Sequence, residues 1–396
     1  MNTFEELTVS DLPRLHFSRA EYAGRMDRLK AGLVEQGVDA AVIFKSDDMY
    51  WLTGLDTDGY YVFHAMIITA DGKIVYLGRQ ADFNNARYSS ILEDVRVFDE
   101  LAQSNRAVAL KAVLAELGLA GKKVGIQYNT MGHRADLYME ITAEFGAWCT
   151  FSDVSHLFER LKLVKTDAEI DVMRKGSAIT HKMVDAAKSV VRAGVFEGKV
   201  FAKLAECIYE NDGDPCALRY PIGCGEASKL GRYTSGRHYV AETDQFMFEI
   251  GCGYRNYHTA IYFHVHVGAV PHERLRDLLK ICQEAREAGQ AQMRPGNVIG
   301  QIHEAVSNVY LRNGLENNLR KSYGYSMGIC YPPTWVAAPM IISGSKEVIE
   351  ENMTLFLHPS LMDTDTGFRV SSGETARITS NGIEKLTIAP KDLILN

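Results

Sequence analysis

The order of helix and strand signals changes part-way along the chain, and this change restricts the chain to folds with two differently built parts. In the first part, helices and strands alternate. Ser18 and Glu21 have the spacing of a capping box, which predicts a helix over about 18–36, and the apolar run 40–44 predicts a short buried strand. The pattern continues with a predicted hairpin at Asp71-Gly72, a helix near 105–118 and a strand at 123–127. We therefore expect an α/β domain over residues 1–160, which is a usual domain size.

In the second part, long helices are grouped beside pairs of strands. Thr166 and Glu169 form another capping box, which predicts a helix that continues to about 192. Next come a predicted helix at 196–210, strands at 245–250 and 257–267 around a glycine-rich turn at 251–253, helices near 271–290 and 299–313, and a strand-rich tail from 354 with an Asn381-Gly382 hairpin. Helices grouped beside antiparallel hairpins indicate an α+β domain, which we place at residues 161–396.

The composition argues against several classes of function. The formal net charge of −7, without a run of lysine or arginine, argues against a nucleic-acid partner. No apolar stretch is long enough to cross a membrane, and the N-terminus is acidic where a signal peptide would be basic. The seven cysteines are scattered and form no Cys-x-x-Cys pair, so we expect reduced thiols in a cytoplasmic protein.

Four ionisable residues are candidates for a functional site on their sequence context alone. His238 lies in a polar loop, where its imidazole is either a general acid/base or an ordinary surface group. Glu249 lies in the apolar run 246–250, so it is either a buried carboxylate that needs a partner or a strand residue that points to solvent. Glu374 follows Gly373 at the start of a predicted strand and poses the same alternative. His358 ends an apolar strand, where a hydrogen-bonded core histidine is the alternative to a functional one.

The aromatic residues belong either to the hydrophobic core or to a binding pocket. Trp335 follows Pro332-Pro333 and is either part of the core or the wall of a pocket. Trp51, Tyr60 and Tyr61 form an aromatic group, which most often indicates a hydrophobic core.

These residues occur in an order that resembles the clan of methionine aminopeptidase, prolidase and creatinase. Members of that clan place an α/β N-terminal domain before a catalytic domain with the pita-bread fold, which is the α+β architecture expected here. The matching segments are 163–174 at the start of the catalytic domain, Arg237-His238-Tyr239 in the histidine loop, 248–260 in the first metal-ligand hairpin, and 324–328 in the Gly-His-Gly-x-Gly loop.

The metal-ligand positions of the clan are where this sequence departs from it. Metallopeptidases of the clan use Asp, Asp, His, Glu and Glu, and the matching positions here are Glu249, Ala260, Tyr325, His358 and Glu374. Alanine has no donor atom, and a neutral tyrosine is a poor ligand. We therefore expect no metal ion and no other cofactor, with a single ion on the two glutamates and the histidine as the alternative.

Within the clan, the sequence is most similar to ectoine hydrolases. The similarity is carried by Trp51-Leu52-Thr53-Gly54 with Tyr60-Tyr61-Val62, by 248–250 with Tyr257-His258, and by Tyr331-Pro332-Pro333 with Trp335. The sequence departs from those enzymes at 228–237, at 336–339 and at 369–373, where the segment is longer. This resemblance implies a hydrolase of a non-peptide C–N bond in a small zwitterionic nitrogen compound, such as a cyclic amidine or a guanidino compound.

The resemblance also implies a role for each candidate. His238 would be the general base, and the carboxylates of Glu249 and Glu374 would hold the planar cation. Tyr257, Tyr325 and Trp335 would present aromatic faces, and His258 and His358 would line the same pocket. Arg237 or Arg255 would bind the carboxylate of the substrate, with a solvated surface arginine as the alternative for both. By analogy with creatinase, we expect a homodimer in which the N-terminal domain of one subunit helps to close the pocket of the other, with Trp51, Tyr60 or Tyr61 near that pocket. The alternatives are a lyase acting on a sulfonium or ammonium zwitterion, a protein resembling Xaa-Pro peptidases, and a non-catalytic binding protein of the same fold.

Overall fold

The chain divides into two units, Met1–Lys162 and Leu163–Asn396. The computed structural model describes residues 13–98, 105–230, 237–268 and 270–396. The acidic N-terminal residues used in the sequence argument lie outside these ranges. None of the helices in the described ranges combines the length and apolar composition needed to cross a bilayer.

Helices and strands alternate in the first unit, as the sequence predicts. Its elements are α1 (Arg19–Gln36), β1 (Ala40–Ile43), α2 (Ser46–Thr53), β2 (Ala65–Thr69), β3 (Ile74–Gly78), α3 (Phe83–Ser89), β4 (Asp94–Val97), α4 (Arg106–Glu116), β5 (Lys123–Ile126), α5 (Ala135–Phe145), β6 (Thr150–Asp153) and α6 (Ser155–Leu163). Within the described residues, six strands form one mixed sheet in the order β4-β3-β2-β1-β5-β6. The strand pair β1–β2 is antiparallel, whereas β1–β5 is parallel.

Local sequence explains where α1 begins and ends. The Ser18 side chain accepts a hydrogen bond from the backbone N–H of Glu21, which satisfies one of the free donors of the first turn. Gly37 ends the helix with a φ of 61°, a left-handed conformation that glycine adopts without strain. The predicted start of this helix is confirmed.

The second unit contains the longer elements. They are α7 (Asp167–Val190), α8 (Glu197–Glu210), β7 (Ile222–Cys224), β8 (Gln245–Tyr254), β9 (Tyr257–His266), α9 (Glu273–Gln290), α10 (Ile299–Arg312), β10 (Ser322–Ser326), β11 (Ala337–Ile342), β12 (Thr354–Leu357), β13 (Ser360–Met362), β14 (Arg369–Ser371), β15 (Gly373–Thr379), β16 (Gly382–Lys385) and β17 (Ile394–Leu395). Thr166 caps α7 through a complete capping box with Glu169, as predicted.

One large sheet organises the second unit. Within the described residues, seven strands follow one another in the order β11-β10-β12-β15-β9-β8-β7, with β16 beside β15 and β17 beside β9. The apolar residues of one face pack on α7 and α8 at the β8–β9 end and on α9 and α10 at the β12–β15 end. We call this the helix-covered face. It carries Phe248, Ile250, Ile261, Leu357 and Ala376.

The turn between β8 and β9 differs from the prediction. The sequence predicted a glycine-rich turn at 251–253, but β8 continues through these residues and the chain reverses at Arg255 and Asn256, whose φ angles are 51° and 61°. Gly251 instead lies where two strands approach closely, since a Cβ there would be 2.0 Å from the carbonyl oxygen of Thr259. Close packing of strands and a turn both select glycine, and the sequence alone did not distinguish them.

Candidate active site

The cross-strand register of β8, β9 and β15 places Glu249 on the face of the sheet opposite to the helices. Glu249 is paired with Tyr262, and Tyr262 is paired with Gly373 on β15. Because side chains alternate along a strand, all three lie on the same face, with Ile250 and Ile261 on the other. We call this side of the sheet the Glu249 face.

Two aromatic residues form a hydrogen-bonded chain that ends at the Glu249 carboxylate. The Tyr325 hydroxyl donates to Glu249 Oε1 at 3.3 Å, and the Trp335 indole N–H donates to the Tyr325 oxygen at 2.8 Å. Burial, followed by the charge of Glu249, raises the pKa of Tyr325 well above its ordinary range. Tyr325 is therefore a neutral phenol that donates to the carboxylate. The structure brings together the sequence candidates Glu249, Tyr325 and Trp335.

His358 lies beside this chain. Its ring is 5.2 Å from that of Tyr325, centroid to centroid, and stacks on Phe356 at 4.8 Å. Its Nε2 atom is buried and has no hydrogen-bond partner among the described residues. Burial, and then the positive charge of Arg369, lower the pKa of His358 to about 4, so the imidazole is neutral at pH 7. A neutral buried nitrogen without a partner is available to accept a proton.

Sequence reasoning missed two residues of this face. Tyr262, opposite Glu249, is buried, and its hydroxyl lies 3.0 Å from the sulfur of Met247. Arg369 donates from Nη1 to the backbone oxygen of Lys229 at 3.1 Å, while its buried Nε has no hydrogen-bond partner among the described residues. Burial raises the pKa of Tyr262, and the positive charge of Arg369 acts against that rise. The same charge adds to the lowering of the His358 pKa by burial. Strand alternation could have indicated Tyr262, and the longer segment at 369–373 was the one signal for Arg369.

The predicted catalytic role of Glu374 is not supported by its position. Glu374 pairs with Ile261 and Leu357, so it points to the helix-covered face, away from Glu249. Its side chain is 1% exposed and accepts hydrogen bonds from Gln290 and from the backbone N–H of Ala389. Arg286 and Lys385 pair with the same carboxylate. Glu374 is therefore held in a structural network between the sheet and α9.

His238 and Arg237 also lie elsewhere. The His238 Nε2 atom is 2.9 Å from the sulfur of Cys224, which is paired with Phe246. Phe246 is three residues, about 10 Å, from Glu249 along β8 and on the opposite face. The Arg237 guanidinium packs on the ring of Phe201 and pairs with Glu197 at 3.6 Å. The structure does not bring the predicted base or the predicted carboxylate anchor to the Glu249 face.

Tyr257 and His258, which are adjacent in the sequence, point to opposite faces of β9. Tyr257 donates from its hydroxyl to Glu169 of α7 at 2.5 Å, so its ring lies on the helix-covered face and cannot line the pocket as predicted. His258 is on the Glu249 face, but it lies four residues, about 13 Å, from Tyr262 along the strand. Its Nε2 accepts from the backbone N–H of Ala217 at 3.1 Å, and burial lowers its pKa to about 4.

Tyr60 and Tyr61 belong to the first unit. Their rings meet edge to face at 5.4 Å, and Tyr61 is 67% exposed. Their predicted role beside the pocket of a second subunit stays a prediction.

The residues on the Glu249 face do not fit a metal centre of the metallopeptidase type. Of the five matched positions, only Glu249 and His358 present a ligand-type donor to this face, because Ala260 has none and Tyr325 is a neutral phenol. The strand position that faces Tyr262 is occupied by Gly373, where a Cβ would lie 2.8 Å from the Tyr262 Cβ and 2.9 Å from the His358 Cβ. No carboxylate at position 373 has room beside them.

We expect the buried histidines to make the stability of the protein depend on pH. Burial lowers the pKa of His264 to about 4, and its Nε2 accepts a hydrogen bond from the Ser371 N–H at 2.8 Å. The unfolded chain, with an ordinary histidine pKa of about 6.5, takes up the proton first as the pH falls. This contribution to the free energy of unfolding is complete above pH 6.5 and is lost progressively toward pH 4, by about 1.4 kcal/mol per pH unit. Urea unfolding of wild type and His264→Gln should show a stability difference that narrows between pH 7 and pH 5; a constant difference would contradict the assignment.

Comparison with known proteins places this site in a family context. Residues 171–381 match Metallopeptidase family M24, and residues 25–164 match the Creatinase/Prolidase N-terminal domain. Ectoine hydrolase from Halomonas elongata is 26% identical over 96% of this chain and 98% of that protein, and the Xaa-Pro dipeptidase of Pyrococcus furiosus is 22% identical over 93% and 99%.

Solved structures show the same architecture. A dipeptidase from Pyrococcus horikoshii superposes with a TM-score of 0.81 at 20% identity, covering 94% of this chain and all of that one. An Xaa-Pro dipeptidase from Bacillus anthracis gives 0.81 at 19% identity, covering 95% of this chain and all of that one. The predicted fold class is confirmed: a creatinase-type N-terminal domain is followed by a pita-bread domain.

Proposed function

Because the chain belongs to metallopeptidase family M24, a family of hydrolases, we propose that it cleaves a non-peptide C–N bond in a small zwitterion without a metal ion at the Glu249 face. The composition of the Glu249 face carries this proposal. One carboxylate lies there among aromatic side chains, and the positive charge of Arg369 acts on Tyr262 and His358. Ala260 and Tyr325 stand at two positions where the metallopeptidases have ligands. This set of groups complements a substrate with one cationic and one anionic end.

The substrate class follows from the charges. A planar amidinium donates N–H groups to a carboxylate, which is the arrangement that Glu249 offers. The rings of Tyr325 and Trp335 stabilise a cation beside them. Arg369, with its buried Nε donor, binds a carboxylate at the other end. Ectoine, a cyclic amidine with a carboxylate, has this form, and the similarity to ectoine hydrolase supports the same class.

The positive charge of the amidinium makes its carbon electrophilic enough for water to attack. Water attacks the amidinium carbon, a C–O bond forms, and the electron pair of the C=N bond moves to nitrogen. One water proton goes to Nε2 of His358, which returns it to the departing nitrogen. As the C–N bond breaks, its electron pair leaves with that nitrogen, the C=O bond forms, and the second water proton passes to the released amine. A substrate carboxylate bound to Arg369 offsets the positive charge that lowers the pKa of His358, and so makes the imidazole a better base.

Hydrolysis of Xaa-Pro dipeptides is the second candidate. It is supported by the similarity to Xaa-Pro dipeptidases over more than nine tenths of the chain. The donor atoms on the Glu249 face argue against it, because a metal-activated water needs more ligands than Glu249 and His358 supply.

A substrate comparison separates the two functions. The purified protein is incubated with ectoine, creatine and Gly-Pro, each with EDTA and with added Mn²⁺. We expect turnover of an amidine or guanidino substrate at equal rates under both conditions, and water-derived oxygen in the product. Cleavage of Gly-Pro that requires Mn²⁺, with no reaction of the other two, would establish the peptidase instead. An elimination product without water-derived oxygen would indicate a lyase.

We expect Arg369→Met to weaken substrate binding more than catalysis. Loss of a charge-assisted hydrogen bond to the substrate carboxylate costs about 1.5–3 kcal/mol, which corresponds to a rise in KM of about 10- to 100-fold. The value of kcat should change only a few-fold. Steady-state kinetics of the two proteins measure both quantities.

Two controls define the role of Arg369. Arg312→Met removes an exposed arginine that pairs with Glu284, and should leave KM unchanged. With a substrate analogue that lacks the carboxylate, wild type and Arg369→Met should have similar KM values. An equal loss with both substrates would mean that Arg369 does not bind the carboxylate.

A further inference from the structure

A second group of ligand-type side chains lies away from the Glu249 face. The sulfur of Cys224, Nε2 of His238 and a carboxylate oxygen of Asp244 all lie within 4.8 Å of one another, and the Cys224–His238 distance is 2.9 Å. We call these three residues the Cys224 cluster. In the part of the chain that the structure describes, no other group of three His, Cys, Asp or Glu side chains is close enough to share a metal ion.

A buried carboxylate that accepts no hydrogen bond from the described residues lies next to the cluster. Glu197 is 0% exposed, and neither of its oxygens has a hydrogen-bond partner among the described residues. Glu197 forms an ion pair with Arg237 at 3.6 Å. The charges of Glu197 and Asp244 raise the pKa of Cys224, after burial itself, while Arg237 acts in the opposite direction. Buried carboxylates without hydrogen bonds are costly, and the arrangement favours an additional cation.

The backbone holds the three parts of the cluster together. Cys224 lies at the end of β7, and the segment 238–241 runs beside the start of α8. The Val240 N–H donates to the oxygen of Val195 at 2.9 Å, and the Glu197 N–H donates to the oxygen of His238 at 2.9 Å. The Ala241 N–H donates to Oδ2 of Asp244 at 2.9 Å, which orients that carboxylate. The ligands therefore come from a fixed framework.

We propose that Cys224, His238 and Asp244 bind one Zn²⁺ ion, whose charge is balanced by Glu197. Zinc accepts thiolate, imidazole and carboxylate ligands in a tetrahedral arrangement. On binding, the Cys224 thiol releases its proton to solvent, and no redox step is involved. The charges of the ion, the thiolate, the two carboxylates and Arg237 then sum to zero. A water molecule occupies the fourth position that three protein ligands leave, and the ion ties the 238–244 segment to β7.

Metal binding to the whole protein tests this proposal directly. After removal of adventitious metal, the wild type is titrated with Zn²⁺ and, separately, with Co²⁺. We expect about one equivalent of zinc per chain, a higher Tm with zinc, and a sulfur-to-cobalt charge-transfer band with Co²⁺. Cys224→Ser should abolish the band and lower the zinc affinity about 100-fold, and Asp244→Asn should lower it at least about 10-fold. Absence of stoichiometric zinc binding by the wild type would overturn the proposal.

Matched variants separate this site from other thiols and from the Glu249 face. Cys149→Ser removes a buried thiol of the first unit and should bind zinc as the wild type does. His358→Gln removes a donor of the Glu249 face and should also retain the ion and the cobalt band. Loss of the ion in His358→Gln, or retention of it in Cys224→Ser, would place the metal elsewhere and refute the proposal. These experiments measure bound metal, so their outcome is independent of the substrate comparison above.

Discussion

Glu249→Gln is expected to lower kcat about 100- to 1,000-fold while the protein stays folded. Glutamine has nearly the same shape as glutamate, and its amide oxygen can still accept the hydrogen bond from Tyr325. What is lost is the negative charge that holds and orients the amidinium as water attacks it. Removing one electrostatic contact of this kind from an enclosed site costs about 2.7–4 kcal/mol of transition-state stabilisation. Steady-state kinetics with the substrate identified above measure the effect.

The control for Glu249 is chosen from the same strand pair. Gln245 lies four residues before Glu249 on the same face of β8, and its side chain is hydrogen-bonded to the backbone of Arg369 and to His264. The variant Gln245→Glu adds a carboxylate at this position without replacing Glu249. Such a charge should not rescue the Glu249→Gln variant, because it lies about 13 Å along β8. A Glu249→Gln enzyme with near-normal kcat would remove the carboxylate from the mechanism and with it the proposed substrate class.

Glu374→Gln is expected to lower the free energy of unfolding by about 3 kcal/mol and to leave kcat of the folded protein within a few-fold of wild type. The substitution removes the charge that offsets Arg286, whose side chain is 4% exposed, and weakens the contact with Lys385, which is 36% exposed. Breaking a buried ion pair from one side costs about 3–5 kcal/mol because the other charge stays buried. The partial exposure of Lys385 places the estimate at the lower end of that range. Urea unfolding and kinetics on the same preparation measure the two quantities.

Glu384→Gln is the matched control for stability. Glu384 pairs with Arg174 and Arg377, but its side chain is 32% exposed, so its loss should cost less than about 1 kcal/mol. If Glu374→Gln abolished turnover without loss of stability, Glu374 would have the catalytic role that the sequence predicted, and the face assignment made from the strand register would be wrong.

Local signals in the sequence predicted many of the helices and strands, whereas the pita-bread fold was predicted from the family resemblance. The capping residues Ser18 and Thr166 predicted where two helices begin, because a cap acts on donors only two or three residues away. Alternating helices and strands predicted the first unit. The position of the β8–β9 turn was wrong, because glycine is selected by strand contact at Gly251 as well as by turns.

The residues of the candidate site were harder to predict from the sequence than the helices and strands. The family resemblance predicted that Glu249, Tyr325, Trp335 and His358 line one pocket. The structure places the first three in one hydrogen-bonded chain, with His358 beside it. The resemblance also included Glu374, which lies on the other side of the sheet. A shift of one residue in a strand exchanges its two faces, so a longer segment before β15 is enough to put Gly373 where a carboxylate was expected.

What the sequence determined by itself is therefore what depends on neighbours along the chain: the helix starts, the strand periodicity and the kinds of side chain available for chemistry. The tertiary structure decided which of those side chains meet. The pairing of β15 with β9, which lies more than a hundred residues earlier, turned Glu374 toward the helices. The register of the β8–β9 pair did the same for Tyr257. The pairing of the 238–241 segment with the start of α8 carried His238 to Cys224, and the position of β14 placed the backbone of Arg369 against Gln245 of β8.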